Sequence, residues 1–162
     1  MLLRFFLNTG SKSYLRGLEG EFGESTNAIR LELNRFEKAG LLVSCMDKNK
    51  KIFRANVTHP LFGEIQSIIR KSIGLDQLVE KVVQKLGNVS RAYITGELAK
   101  GLDTHDIDFV LIGDDIDKEY LISLIGKVEI LIKRKVHCLI LRQEEENEHL
   151  AGYPEAVLLW EK

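Results

Sequence analysis

The sequence predicts an α+β fold in two parts, and three observations carry that prediction. Helical periodicity marks residues 13–38, and two extended apolar runs with a polar tip follow. After a further helical stretch the pattern becomes strand, glycine-bounded turn, strand, helix, strand, which suits a small α/β unit with a mixed sheet. The charge also changes sign midway. Residues 1–73 carry 12 Lys and Arg against 7 Asp and Glu, and residues 74–162 carry 11 against 17. A basic half beside an acidic half points to an anionic partner for the first half alone. The expected boundaries are 1–59, a linking helix over 60–74, and 75–162.

Met1 to Leu7 is a short apolar opening without the basic leader and small-residue cleavage site of a signal peptide, so it reads as a first helix. Ser13 is a candidate cap for a helix to about Phe22, with Leu15, Leu18 and Phe22 on one face and Gly23 at its end. Ser25 caps the next, Thr26 to about Lys38, which Gly40 stops. Ile29, Leu33 and Phe36 form its buried stripe, and Asn27, Arg30, Asn34 and Lys38 face away. Leu31 shares that outward face. The runs Leu41–Met46 and Ile52–Val57 flank Asp47-Lys48-Asn49-Lys50-Lys51 and read as a β-hairpin. His59-Pro60 opens a helix to about Ile73, and another spans Asp76 to about Leu86. Strands are expected at Val89–Thr95, Asp106–Ile112, Lys135–Arg142 and Ala156–Trp160. Asp115 or Asp117 caps a helix to about Ile125.

Two helices with a tight turn, followed by a basic-tipped hairpin, make a winged helix-turn-helix, whose second helix can enter a major groove. Asn27, Arg30 and Asn34 are residue types that read base edges, and Ser25 and Thr26 begin the same helix. Lys48, Lys50, Lys51 and Arg54 on the wing can meet phosphates, which gives salt-dependent affinity. Residues 1–60 resemble the arsenic-repressor and multiple-antibiotic-resistance type of winged-helix regulators. Tyr14-Leu15-Arg16-Gly17-Leu18, Ser25 to Arg30, and Leu33 to Leu42 with the hairpin after them carry the resemblance. It implies a homodimer on a two-fold site in double-stranded DNA. A winged helix used only for protein contacts is the alternative.

The sharpest local signal is Thr95-Gly96-Glu97-Leu98-Ala99-Lys100-Gly101, then Asp106-Ile107-Asp108-Phe109-Val110-Leu111. Aspartates at i and i+2 of a strand share a face and repel unless a cation sits between them, which suits Mg²⁺ with phosphates. The glycine-bounded turn can offer backbone N–H groups to a triphosphate. Residues 75–161 resemble the minimal nucleotidyltransferase family of the polymerase-β superfamily, including a closing strand at Val157-Leu158-Leu159-Trp160-Glu161. The resemblance implies a phosphate-binding serine after the first glycine, metals on Asp106 and Asp108, and a third carboxylate on a later strand, for nucleotide transfer by two metal ions.

The chain departs from that pattern at three points. Glu97 stands where the serine belongs, and two like charges at about 4 Å near a surface repel by roughly 4 kcal/mol. Lys100 replaces an arginine and loses its fork. His137, within Arg134-Lys135-Val136-His137-Cys138-Leu139, takes the third carboxylate's place, and its nitrogen suits Mg²⁺ poorly. Together they point to lost chemistry, with Gly96, Glu97 and Lys100 as the nucleotide-binding residues and Asp106 and Asp108 as the metal ligands, catalytic if activity survives. Glu97 or Glu129 would then supply the missing charge. Asp106 as a turn cap and Asp108 as a solvated side chain remain the bland alternatives.

His105 beside the aspartates, His59 before Pro60, and His149 in the acidic segment read as turn, capping and solvated residues, although His105 could also join a metal site. The run Glu144 to Glu148 reads as a solvated surface, and Tyr14 and Tyr93 as core or boundary aromatics. No apolar run approaches the roughly 18 residues of a membrane span. Cys45 and Cys138 lie far apart without metal-ligand spacing, which fits a reducing cytoplasm. The sequence therefore implies a cytoplasmic, dimeric, DNA-binding transcriptional regulator that requires no cofactor. Its second domain serves dimerisation, partner binding or nucleotide sensing, with Mg²⁺ and a nucleoside triphosphate as the ligand left open. The alternatives are an active Mg²⁺-dependent nucleotidyltransferase acting on a protein or small-molecule acceptor, and an adaptor that engages neither DNA nor nucleotide.

Overall fold

A computed structural model describes residues 1–162. The chain is α+β. Helix α1 (Leu2–Phe6) leads to a two-residue strand β1 (Ser13–Tyr14), then α2 (Leu15–Phe22) and α3 (Thr26–Lys38). Strands β2 (Leu42–Asp47) and β3 (Lys50–Ala55) form the expected hairpin, and β1 adds to it in the order β1-β3-β2. Ser13 therefore does not cap α2. Its backbone pairs with Phe53, and the helix begins two residues later. Ser25 caps α3 as expected, its Oγ accepting the Ala28 N–H at 3.3 Å. Ile29 and Leu33 are buried and Phe36 packs beside them, so the apolar stripe lies where the spacing put it.

Helix α4 (Phe62–Ser72) starts two residues after Pro60, because His59 Nδ1 first accepts the Leu61 N–H at 3.1 Å in a turn. The next helical stretch runs through α5 (Leu75–Leu78), a π-turn at Val79–Val83 and α6 (Gln84–Leu86). Val79, Val82 and Val83 are buried, so the wider turn lies within the core.

A four-stranded mixed sheet follows, built from β4 (Val89–Thr95), β5 (Asp106–Gly113), β6 (Lys135–Leu141) and β7 (Val157–Glu161) in the order β6-β5-β4-β7. β4 is antiparallel to both β5 and β7, and β6 is parallel to β5 through the crossover helix α8 (Lys118–Ile132). Asp117 caps α8 by accepting the Tyr120 N–H at 3.0 Å. The helix runs past Gly126, seven residues beyond the expected end, because Val128 and Ile132 continue its packing on the core. Ile107, Phe109 and Leu111 of β5 and Ala92 and Ile94 of β4 are buried on the face that α8 and the α5–α6 stretch cover. The other face carries Asp106, Asp108 and Val110. Two short helices, α7 (Gly96–Ala99) and α9 (Glu146–Leu150), lie at its margins.

One apolar cluster of 29 buried residues runs from Phe5 to Leu159. Helix α1 sits inside it, with Phe5 and Phe6 fully buried and Phe6 against Phe62, ring centroids 5.6 Å apart. Burying each phenylalanine contributes about 1.5–3 kcal/mol. Arg4 then reaches three elements at once: its Nε donates to Ser13 Oγ at 3.1 Å, the guanidinium pairs with Glu21 at 3.2 Å, and Nη1 donates to the Lys100 carbonyl. Gly101 has φ +88°, and a Cβ there would overlap the backbone of Arg4. Gly101→Ala is therefore expected to lower stability by about 2 kcal/mol or more, since the left-handed backbone alone costs a non-glycine residue about 1–2 kcal/mol. Urea unfolding checks this, and a midpoint equal to that of the parent would show that α1 does not rest on the turn as described.

Candidate functional site

Two surfaces gather chemistry. The first is a groove of about 770 Å³ between α3 and the hairpin, lined by Arg16, Arg30, Asn34, Asn49, Lys50 and Lys51 over Tyr14, Leu15, Leu33 and Phe53. Arg30 and Asn34 come from the outward face of α3, so the helical spacing placed them correctly. Arg16, Asn49 and Tyr14 join from α2, the hairpin tip and β1, which only the three-stranded sheet brings together. Lys50 lies over the Tyr14 ring at 4.4 Å. Four cationic side chains and no carboxylate line this groove.

Other expected contact residues fall outside it. Asn27, Lys48 and Arg54 are exposed beyond the groove, Ser25 is occupied as a cap, and Thr26 is half-buried. Lys51 reaches the groove with its charge already paired, its Nζ lying 2.7 Å from Glu37. That hydrogen bond, with a second from Ser44, holds the Glu37 carboxyl below its ordinary value. Leu31 is 52% exposed on the same outward face of α3, an apolar contact that the groove leaves open.

The second surface is the open face of the mixed sheet. The β4–β5 register sets Thr95 opposite Asp108, and the parallel β5–β6 register sets Asp108 beside His137. Asp106 and Asp108 share this face, as the spacing predicts, and His137 Nε2 lies 3.2 Å from Asp106 Oδ1. Gly96 adopts φ +69° above the strand, and a Cβ there would overlap the Asp108 carboxylate. The Gly96–Gly101 turn is therefore packed directly on Asp108. Glu97 and Lys100 pair with each other at 2.7 Å, which raises the Lys100 pKa above its ordinary value. The Glu97 charge is thus partly neutralised by its own turn.

Nearby cations are also drawn aside. Arg134 bonds to Asp103 at 2.8 Å and to the Thr104 carbonyl, and Lys135 leans toward Glu129 at 3.5 Å. Glu129 accepts the Val136 N–H at 2.8 Å, the main reason its pKa falls below the usual carboxylate value. It belongs to α8, on the covered side of the sheet, so it does not reach the aspartates from there. His105 is exposed, and its carbonyl receives the Lys135 N–H at 3.0 Å, a backbone role at the start of the strand pair. Cys138 packs on the α8 side, and burial pushes its thiol up to about 12, which disfavours the thiolate.

The acidic run hides a structural residue. Glu146 is 4% exposed, not solvated, and accepts the Tyr93 O–H at 2.6 Å and Arg91 Nη1. Arg91 also pairs with Glu161 at 2.9 Å. This cluster seats α9 on the open face. There His149 and Tyr153, ring centroids 5.0 Å apart, wall a pocket of about 290 Å³ with Thr95, Asp108, Val110, His137 and Leu139. Sequence reasoning missed that wall, because its only signal was an acidic tract.

A two-magnesium centre does not fit these donors. The third position is a nitrogen, Asp108 is packed under Gly96, and the turn that would meet phosphates carries Glu97.

Among solved structures, the chain is similar to a candidate nucleotidyltransferase from Sulfolobus solfataricus, with 25% identity over 60% of this chain and 86% of that one, TM-score 0.42. It is similar to a chain of the complex of tri-AMPylated Shewanella oneidensis HEPN toxin with MNT antitoxin, with 14% identity over 57% and 73%, TM-score 0.42. It is also similar to a chain of a toxin–antitoxin structure with AMP-PNP, with 14% identity over 56% and 73%, TM-score 0.43. No protein-family model and no curated protein sequence matches the chain. No helix is long and apolar enough to cross a membrane.

Glu146 gives a pH prediction. Burial pushes its carboxyl up, but Tyr93 and Arg91 more than offset that and leave its pKa lowered. A lowered folded pKa stabilises the fold above the unfolded carboxylate pKa, and the contribution fades as pH falls through the folded one. Glu146→Gln should thus lose about 1–3 kcal/mol at neutral pH, the usual effect of leaving buried partners poorly satisfied, and should flatten the acid limb of stability. Thermal melts between neutral and acid pH measure both, and an acid limb as steep as that of the parent would remove Glu146 as its source.

Proposed function

We propose that this chain is a DNA-binding transcriptional regulator that acts as a homodimer on double-stranded DNA. In this reading the second half has lost nucleotide transfer and serves partner binding or nucleotide sensing. The groove between α3 and the hairpin carries the reading: Arg16, Arg30, Lys50 and Lys51 line it beside Asn34 and Asn49, with no acidic side chain among them. Cations there supply salt-dependent phosphate affinity, and Asn34 and Arg30 supply base-edge hydrogen bonds. Dimerisation is assigned to α4 and the turn before it, where Leu61 and Ile68 are 54% and 65% exposed.

Selection of binding sequences from random duplexes, followed by fluorescence anisotropy at several salt concentrations, tests the reading. Lys50→Ala should weaken binding to all sequences and reduce the salt slope by about 0.9. Asn34→Ala should cost about 1–3 kcal/mol on the selected site and little on unrelated DNA. Both residues are exposed, so the fold is expected to survive. No selectable sequence, or affinities untouched by both changes, overturns the proposal.

A second reading is transfer of a nucleoside monophosphate from a triphosphate to a protein or small-molecule acceptor, with Mg²⁺. The observation favouring it is the retained pair Asp106 and Asp108 on one face beside the Gly96 turn. Label passing from an α-labelled nucleotide to an acceptor, and lost in Asp108→Asn, would establish it. No transfer across a broad acceptor panel would remove it.

A further inference from the structure

The mixed sheet ends at β6, which has β5 on one side and no strand on the other. The backbone of β6 alternates between those sides. The Lys135 N–H donates to the His105 carbonyl at 3.0 Å, so the odd-numbered residues bond to β5, and Val136, Cys138 and Ile140 turn their N–H and C=O groups outward. Carboxylates already cover the outward donors at both ends. Glu129 accepts the Val136 N–H and Glu145 accepts the Arg142 N–H, each at 2.8 Å. Between these caps Cys138 and Ile140 stay open. An unpaired strand edge recruits another strand unless it is protected, and here the protection stops short of the centre.

Beside that open stretch, α8 and β6 leave an apolar groove of about 590 Å³. Leu121, Ile122 and Ile125 line it from the helix, and Ile122 is 71% exposed. As the return helix of a parallel strand pair, α8 runs against β6, and Glu129 is tied to Val136. Lys118 therefore stands at one end of the groove and Glu129 at the other. Gly126 lies within this 15-residue helix, and a Cβ there would meet nothing within 4 Å. A helix-interior glycine weakens the helix relative to alanine, and no contact within the chain calls for it. It leaves the groove open to a closely approaching backbone.

A second copy of this chain matches these features. About a two-fold axis through Leu139, β6 meets its mate antiparallel, with Cys138 opposite the partner's Ile140 and Ile140 opposite the partner's Cys138. That register uses the open N–H and C=O groups and leaves both carboxylate caps in place. A slide of two residues either way needs the Val136 or the Arg142 N–H, which Glu129 and Glu145 hold. The same axis brings Lys118 of one groove toward Glu129 of the other, so the charged ends match. We propose that the outer edge of β6 and the groove beside α8 form a self-association site that joins two copies into one continuous sheet. The site is separate from the α4 contact and rests neither on DNA binding nor on nucleotide transfer.

Cross-linking of the full chain tests the register. The background is Cys45→Ser with Cys138→Ala, which removes both native thiols. Leu139 faces its mate as a non-hydrogen-bonded antiparallel pair, with Cα atoms about 4.5 Å apart, a span that a disulfide bridges. Leu139→Cys should give a covalent dimer under oxidised glutathione, and Met46→Cys, exposed on the hairpin, should not. Sedimentation equilibrium reads the affinity, with Ile68→Glu in every chain to remove any α4 contact. Gly126→Lys should fill the groove and weaken association by at least about tenfold. Lys118→Glu should weaken it by at least about tenfold as well, by setting two acids together. Gly126→Lys should melt no lower than the parent, because lysine is the better helix former and the position is open, which separates lost association from lost folding. No cross-link in the Leu139→Cys chain above the Met46→Cys control overturns the proposal, and so does association unaltered by Gly126→Lys. A chain that stays monomeric at every concentration also overturns it, and leaves the edge to an extended segment of a different protein.

Discussion

The structure turns on the seating of α1 against the Gly96–Gly101 turn. That turn lies over Asp108 at one end and under Arg4 at the other, and both approaches are too close for a Cβ. Arg4 carries the same contact onward to Ser13 of β1 and Glu21 of α2. Asn8 adds hydrogen bonds to the carbonyls of Ala99 and Glu155. A five-residue helix is marginal alone, so α1 exists because Phe5 and Phe6 fill the core. Once seated, it fixes the turn, and the turn fixes where Asp108 rests. The basic groove and the aspartate face are therefore parts of one packed body, joined by the shared apolar core and by the polar contacts of Arg4 and Asn8.

Local pairing decides which charges remain available. The basic first half suggests many free cations, but Lys51 is paired with Glu37 and Arg35 with Glu32 at 2.6 Å. Arg16, Arg30 and Lys50 have no carboxylate within bonding distance, and all three line the groove. The second half shows the reverse pattern. Its excess acid is partly spent on Arg91, Lys100 and Arg134, and Asp106 is left with only His137. Net charge per segment describes each half only in bulk, and the pair-by-pair arrangement decides which side chains within it stay unpaired.

Much of this was legible in the sequence wherever the physics is local. Ser25, Gly23 and Gly40 marked helix ends because caps and left-handed glycines act within a few residues. The period of two placed Asp106 and Asp108 on one face, and the parallel register of β5 and β6 sets His137 beside them, where the family resemblance implied it. What was hidden depends on distant partners. Ser13 and Tyr14 form a strand only because Phe53 and Ile52 stand beside them. The α8 helix passes Gly126 because the core continues to reward it. Glu146 looked solvated among its acidic neighbours, and only Arg91 and Tyr93, far back in the chain, reveal it as buried. The groove residues Arg16 and Asn49 were invisible for the same reason.

The three departures from the nucleotidyltransferase pattern are not equivalent once their partners are known. Glu97 is less repulsive than its position suggests, because Lys100 neutralises it within one turn. That pairing ties the Lys100 ammonium to the same turn, so the charges at positions 97 and 100 offset each other there. His137 acts differently. It puts a ring nitrogen where a carboxylate was expected, and that nitrogen lies within hydrogen-bonding distance of Asp106. Losing a carboxylate at the Glu97 turn would restore room for an anion. Restoring one at His137 would recreate like-charge crowding that a hard cation has to relieve.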